Sequence, residues 1–136
     1  MGGINISKIP FSYEKPEPNK IMSFDFTDIE KSIEYLVKDK RLITIAGGGF
    51  GGSHYHERIE SWVAFGGELE LTWMDNAESK SMILNPKNSK DLIVVTVDRN
   101  VPHIIRNKSE DNAYLLEWAD GKMRNIHTYD FNNTKL

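Results

Sequence analysis

Residues 48–67 read GGFGGSHYHERIESWVAFGG. His54 and His56 stand one residue apart, Glu60 follows after three more, and glycines close the stretch at both ends. On an extended strand, residues two apart point to the same side, so the two imidazoles can meet at one point. Two imidazoles and a carboxylate are three of the four or more donors that a borderline transition metal takes from protein. His103, within RNVPHIIRN, lies in a second short strand-like run that can bring a further ligand across a barrel. Glu57 and Glu60 compete for the carboxylate role. Counting by twos from His56 favours Glu60 and leaves Glu57 to solvent or an ion pair. His127, in a terminal strand, is read as a non-ligand.

Outward from this stretch, the chain of 136 residues has the length of one domain that buries a core without disulfides, and it has no cysteine. Thiolate metal sites and cysteine nucleophiles are therefore excluded. The formal charge of −3 comes from 17 basic and 20 acidic residues spread along the chain, with no basic stripe for nucleic acid. No apolar run approaches the roughly 20 residues of a membrane span, and the N-terminus lacks a secretory pattern. A soluble, cytoplasmic protein is expected.

Residues 1–20, with EKPEPN at 14–19, read as an extended segment ahead of a single domain over 21–136. Thr27 and Glu30 form a capping-box pattern, and Ile29, Ile33, Leu36 and Val37 recur at helical spacing, so one helix is expected over 28–38. Short strands then follow: 41–46, the histidine stretch, 62–65, 68–75, 82–84, 91–97, 101–105, 113–118 and 123–129. Gly66-Gly67 carries a two-residue hairpin signal, and Leu69, Leu71 and Trp73 alternate with Glu68, Glu70 and Thr72. The run DLIVVTV at 91–97 is apolar on both faces and is expected to be buried on both. Many short strands with one helix argue for an all-β sandwich or barrel.

The chain resembles the cupins, the small double-stranded β-helix or jelly-roll family. That family's first motif is glycine, five residues, His-x-His, three or four residues, glutamate, six residues, glycine. Gly48, His54, His56, Glu60 and Gly67 occupy every fixed position. The second motif ends in histidine, three residues, asparagine, which His103 and Asn107 match. Its earlier glycine and Pro-x-Gly turn are replaced by Leu92, Asp98 and Asn100, of which the last two still favour a turn. The resemblance implies an all-β jelly-roll barrel with one short N-terminal helix. It also implies a divalent transition metal (Fe, Mn, Ni, Co or Zn) on His54, His56, Glu60 and His103. Strand parity adds Trp62 and Arg58 to the pocket, and Tyr114 on the same face as Leu116 and Trp118.

The resemblance admits three functions: a non-redox isomerase, epimerase or lyase on a sugar-like or carboxylated molecule, a non-haem iron dioxygenase, or a binding module without catalysis. The spacing before Glu60 is shorter than in the sugar-phosphate isomerase cupins. The Arg-Gly-x-His signature of the nucleotide-sugar epimerase cupins is absent. The non-redox enzyme is preferred because a small acid-rich cupin suits an oxygen-rich ligand. A homodimer is expected from the apolar outward positions Tyr55, Ile59, Val63 and Phe65.

Overall fold

The computed structural model describes residues 3–15, 21–86 and 90–131. Along the chain lie β1 (Ile4–Ile9), β2 (Tyr13–Lys15), β3 (Ile21–Ser23), α1 (Phe26–Lys31), β4 (Asp39–Ile45), β5 (Phe50–Tyr55) and β6 (Glu60–Phe65). There follow β7 (Leu69–Asp75), β8 (Glu78–Ile83), β9 (Leu92–Val97), β10 (His103–Asn107), β11 (Ala113–Ala119) and β12 (His127–Thr128). Two five-stranded antiparallel sheets have the orders β1-β9-β6-β11-β4 and β12-β5-β10-β7-β8, beside a small β2-β3 ribbon. From β4 to β7 successive strands alternate between the two sheets, and β9 to β11 alternate again. This is the winding of a double-stranded β-helix, so the chain has the cupin-like jelly-roll fold. Among the described residues no helix is long and apolar enough to cross a membrane.

Alternation along the strands fills the barrel. Trp62, Ala64, Leu69, Leu71, Val95, Val97, Ile105, Ala113 and Leu115 are buried in one cluster between the sheets. A second cluster lies behind the first sheet, where Val63, Val94 and Trp118 meet Ile9, Ile29 and Ile33. The strand β9 contributes to both clusters, as the continuous apolar run at 91–97 requires.

Three expectations about local structure change. The helix is six residues long, and its cap is Asp25, whose Oδ1 accepts the Thr27 N–H at 3.0 Å. Glu30 does not reach back to close a capping box; it receives Lys40 Nζ at 2.7 Å and Trp118 Nε1 at 2.9 Å. The helix ends at Ser32, so Leu36 lies outside it and is 74% exposed, while Ile29 and Ile33 are buried. Gly66 and Gly67 adopt φ of +71° and +58° but make no hairpin, because β6 and β7 belong to different sheets. They form a corner, held by Asn85, which donates to both glycine carbonyls and accepts the Leu69 N–H. The hairpin falls instead at Asn76 (φ +59°), between β7 and β8.

Residues 4–9 are not an appendage ahead of the domain. They form an edge strand on β9, in register from Ile4 with Val97 to Ile9 with Leu92. The apolar outward patch that suggested a homodimer is largely covered by the chain itself. Val63 is buried in the cluster with α1 and Ile9, and Tyr55 stacks on His127 with ring centroids 4.9 Å apart. Phe65 stays 43% exposed and stacks on Tyr114.

Candidate metal centre and its cavity

A bulge in β5 sets the direction of the histidines. On β10, His103 pairs with His54 but Ile104 pairs with Gly52, so Ser53 is the extra residue. Its φ is +65° and that of Gly52 is +90°. Ser53 is anchored by Tyr129, donating Oγ–H to its carbonyl at 2.7 Å and accepting its N–H at 2.9 Å. The insertion shifts parity by one residue, so Phe50 stays 55% exposed at the cavity's rim while His54, four residues later, is turned toward the other imidazoles. Gly52 leaves no room for a side chain, since a Cβ there would lie 2.9 Å from the His103 carbonyl oxygen.

His54 ends the inward part of β5, His56 lies just past the strand, Glu60 opens β6, and His103 opens β10. The three imidazoles pack edge to face, with ring centroids 4.8, 4.9 and 5.2 Å apart. Their candidate ligand nitrogens all lie within 4.8 Å of one another. Glu60 Oε1 stands 3.3 Å from His56 Nε2 and 3.5 Å from His103 Nε2. Glu57 turns to the surface and accepts from Asn125 Nδ2. Residues 56–59 are not a strand, so counting by twos has no structural basis between His56 and Glu60.

Arg58 braces this group. It is 3% exposed, and its donors are all engaged: Nε and Nη2 to Glu60 Oε2 at 2.9 and 2.5 Å, Nη2 to Glu117 Oε1 at 2.8 Å, and Nη1 to Asp39 Oδ2 and the Gly121 carbonyl. The Glu60 carboxylate is thereby divided, with one oxygen held by the guanidinium and the other turned to the imidazoles. Trp62 Nε1 donates to Glu117 Oε2 at 3.0 Å, and its ring lies 5.5 Å from that of His103.

Burial, with the neighbouring imidazoles, brings the His54 pKa down to about 4, and burial also lowers that of His103. Burial pushes the Glu60 carboxyl up, but the His56 contact and the His103, His56 and Arg58 charges outweigh it and bring it to about 2. With His54 and His103 held toward the neutral form, the Arg58 guanidinium supplies a permanent positive charge beside the Glu60 carboxylate. Glu117 is raised by burial and by the Glu60 charge. Neutral His54 and His103 beside an ionised Glu60 are in the protonation states that a metal requires.

The donor set fits a divalent transition ion. His103 Nδ1 sits 2.9 Å from the Val101 carbonyl, which fixes that nitrogen as the donor and leaves Nε2 with its lone pair facing the cluster. Both His56 nitrogens are buried without a hydrogen-bond partner among the described residues, Nε2 lying off the hydrogen-bonding line to Glu60. Ligand atoms about 2.0–2.2 Å from a shared ion stand roughly 3.0–3.6 Å from their neighbours, the range of the Glu60 distances.

His54, Glu60 and His103 of this cluster line a cavity of about 600 Å³, which Arg58, Trp62 and Glu117 also line, and His56 lies behind them. Tyr114 does not line it. On β11 the inward residues are Ala113, Leu115 and Glu117, whereas Leu116 and Trp118 pack behind the sheet. The expected face is inverted because this sheet is buried on both sides, and the apolar side of β11 serves the rear cluster. Glu117 is the site residue that parity reasoning missed. Its signal is a lone carboxylate inside the apolar run 113–119.

The sequence matches no family model and no curated protein. Several solved structures share the fold. A dTDP sugar isomerase from Desulfovibrio desulfuricans G20 is 8% identical with a TM-score of 0.73, over 96% of this chain and 86% of that one. A 3,4-ketoisomerase from Helicobacter canadensis is 19% identical with a TM-score of 0.62, over 89% and 86% of the two chains. The 3,4-ketoisomerase QdtA from Thermoanaerobacterium thermosaccharolyticum, a mutant solved with TDP-4-keto-6-deoxyglucose, is 16% identical with a TM-score of 0.62, over 89% and 83%. The capsular polysaccharide assembling protein CapF from Staphylococcus aureus is 15% identical with a TM-score of 0.58, and the match spans only 26% of its length.

Proposed function

We propose that this chain is a metal-dependent, non-redox isomerase acting on a small oxygen-rich molecule, a sugar or a carboxylic acid, in the barrel cavity. One observation carries the reading: three imidazoles and Glu60 Oε1 converge beside the cavity, with His56 lacking a hydrogen-bond partner at either nitrogen among the described residues. His54, His56, His103 and Glu60 would hold the ion, and this donor set accepts Fe, Mn, Ni, Co or Zn. When bound, such an ion supplies Lewis acidity toward vicinal substrate oxygens.

The remaining steps fall to the chain's own residues. Arg58 holds Glu60 Oε2 back so that Oε1 faces the imidazoles. Glu117, on the cavity wall with a raised pKa, is the group that takes a proton from carbon and returns it to the neighbouring carbon. Trp62 and Arg58 fix its two oxygens. The hydroxyl proton passes from one vicinal substrate oxygen to the other, so the carbonyl moves by one carbon and no electrons leave the substrate. The sugar isomerases of the same fold support this class of reaction over an oxidative one.

The test is incubation of the metal-loaded protein in D2O with keto sugars, both free and linked to a nucleoside diphosphate, and with 2-hydroxy acids. The expected result is deuterium at the carbon next to the carbonyl, seen by NMR, with no oxygen consumed. Oxygen uptake would move the protein to the dioxygenases, and tight binding without exchange would leave a binding module.

A further inference from the structure

Beside the imidazoles, farther along β5 and β10, the cavity changes character. Gly51 pairs with Ile105 on β10, and both face inward. A Cβ built on Gly51 meets nothing within 4 Å, and its φ lies outside the left-handed region, so neither packing nor backbone strain explains the missing side chain. Across the space stand Ile43, Ile45 and Leu115. None of these offers a hydrogen-bonding side chain. The deep cation, Arg58, has every nitrogen committed to carboxylates or the Gly121 carbonyl. Arg41, at the exposed rim, is tied by Nε to Asp39 at 3.0 Å. A charged or fully hydroxylated body lying against these aliphatic side chains would lose water that they cannot replace, and its affinity would fall.

We infer that the ligand of this cavity is two-ended, with vicinal oxygens at the imidazole cluster and a deoxygenated methyl, alkyl or aryl body in the slot left bare by Gly51 against Ile43, Ile45, Ile105 and Leu115. The inference rests on the reading of the cluster as a metal centre. It narrows the substrate class from any sugar or acid to one whose far end is apolar.

Two hydroxamates with the same chelating head and different bodies separate the two claims. The protein is loaded with zinc and titrated calorimetrically with acetohydroxamate and benzohydroxamate. Benzohydroxamate binds more tightly by about tenfold, the ratio for burying ~60 Å² of additional apolar surface. Gly51→Leu fills the slot and removes that advantage, while zinc content and acetohydroxamate affinity stay within about twofold. Ile43→Thr, at a partly buried position on the same wall, keeps the fold and cuts the advantage about threefold. Equal affinity of the wild type for both probes, or an advantage that survives in both variants, overturns the two-ended ligand and leaves the metal centre standing. Failure of the wild type to retain zinc or to bind either probe overturns the metal centre, and this inference with it.

Discussion

Replacing Arg58 with Met keeps the length of the side chain but takes the cation out from among Glu60, Glu117 and Asp39. The guanidinium makes five hydrogen bonds there, in a setting where Arg58, Glu60 and Glu117 are each at most 5% exposed. Removing one partner of a buried charge pair costs about 3–5 kcal/mol, because the stranded charge stays out of water. For a chain of this size that lowers the melting temperature by roughly 10–20 °C. Two facing carboxylates without a counter-charge will also favour protonation, so the deficit narrows as the pH is lowered from 7 to 5. A second change, Glu117→Gln, removes one stranded charge and restores part of the loss. The assay is urea and thermal unfolding of wild type, Arg58→Met and Arg58→Met/Glu117→Gln at both pH values. Trp62, in contact with Glu117, provides a fluorescence probe. A single variant melting within about 3 °C of wild type, or a double variant no more stable than the single one, refutes the role of Arg58 as the central counter-ion.

Metal-free protein should lose stability in mild acid. The folded pKa values of His54 (about 4, from 6.5) and His103 lie below those of the unfolded chain, so the unfolded state binds protons more readily. That contribution is present above pH 6.5 and is lost as the pH falls through about 4, read as a falling urea midpoint; a flat profile would contradict neutral imidazoles. Glu60→Gln should weaken metal binding by about tenfold or more while Glu57→Gln changes it little, by competition with a fluorescent chelator; equal losses would misplace the carboxylate ligand. Gly52→Ala should destabilise by about 1–3 kcal/mol, since its Cβ would press on the His103 carbonyl. An unchanged melting temperature would contradict the tight bulge.

The fold was legible in the sequence because the spacing from Gly48 to Gly67 and the pair His103 and Asn107 mark where strands, turns and the clustered histidines fall. What was not legible has a common physical origin. Parity reasoning assumes one buried face per strand, and the first sheet has two. Leu116 and Trp118 therefore look like barrel residues yet pack against Ile29 and Ile33 from outside. Glu117, which looks like a solvent residue, is held inside by Arg58 and Trp62. The capping box did not close because Glu30 is used by Lys40 and Trp118, partners far along the chain that no local pattern records. The β5 bulge is likewise a pairing fact: only the β10 register shows Ser53 to be the extra residue. For β1, alternation was masked because Ile6 faces solvent on an edge strand.

The most direct measurement is an anomalous difference map from crystals soaked in manganese or zinc, collected on either side of the metal's absorption edge. One peak per chain is expected beside the cavity, within about 2.0–2.3 Å of a nitrogen from each of His54, His56 and His103 and of Glu60 Oε1, with Arg58 still on Oε2. No peak at that position, or a metal held with the His103 ring turned away from it, would contradict the account.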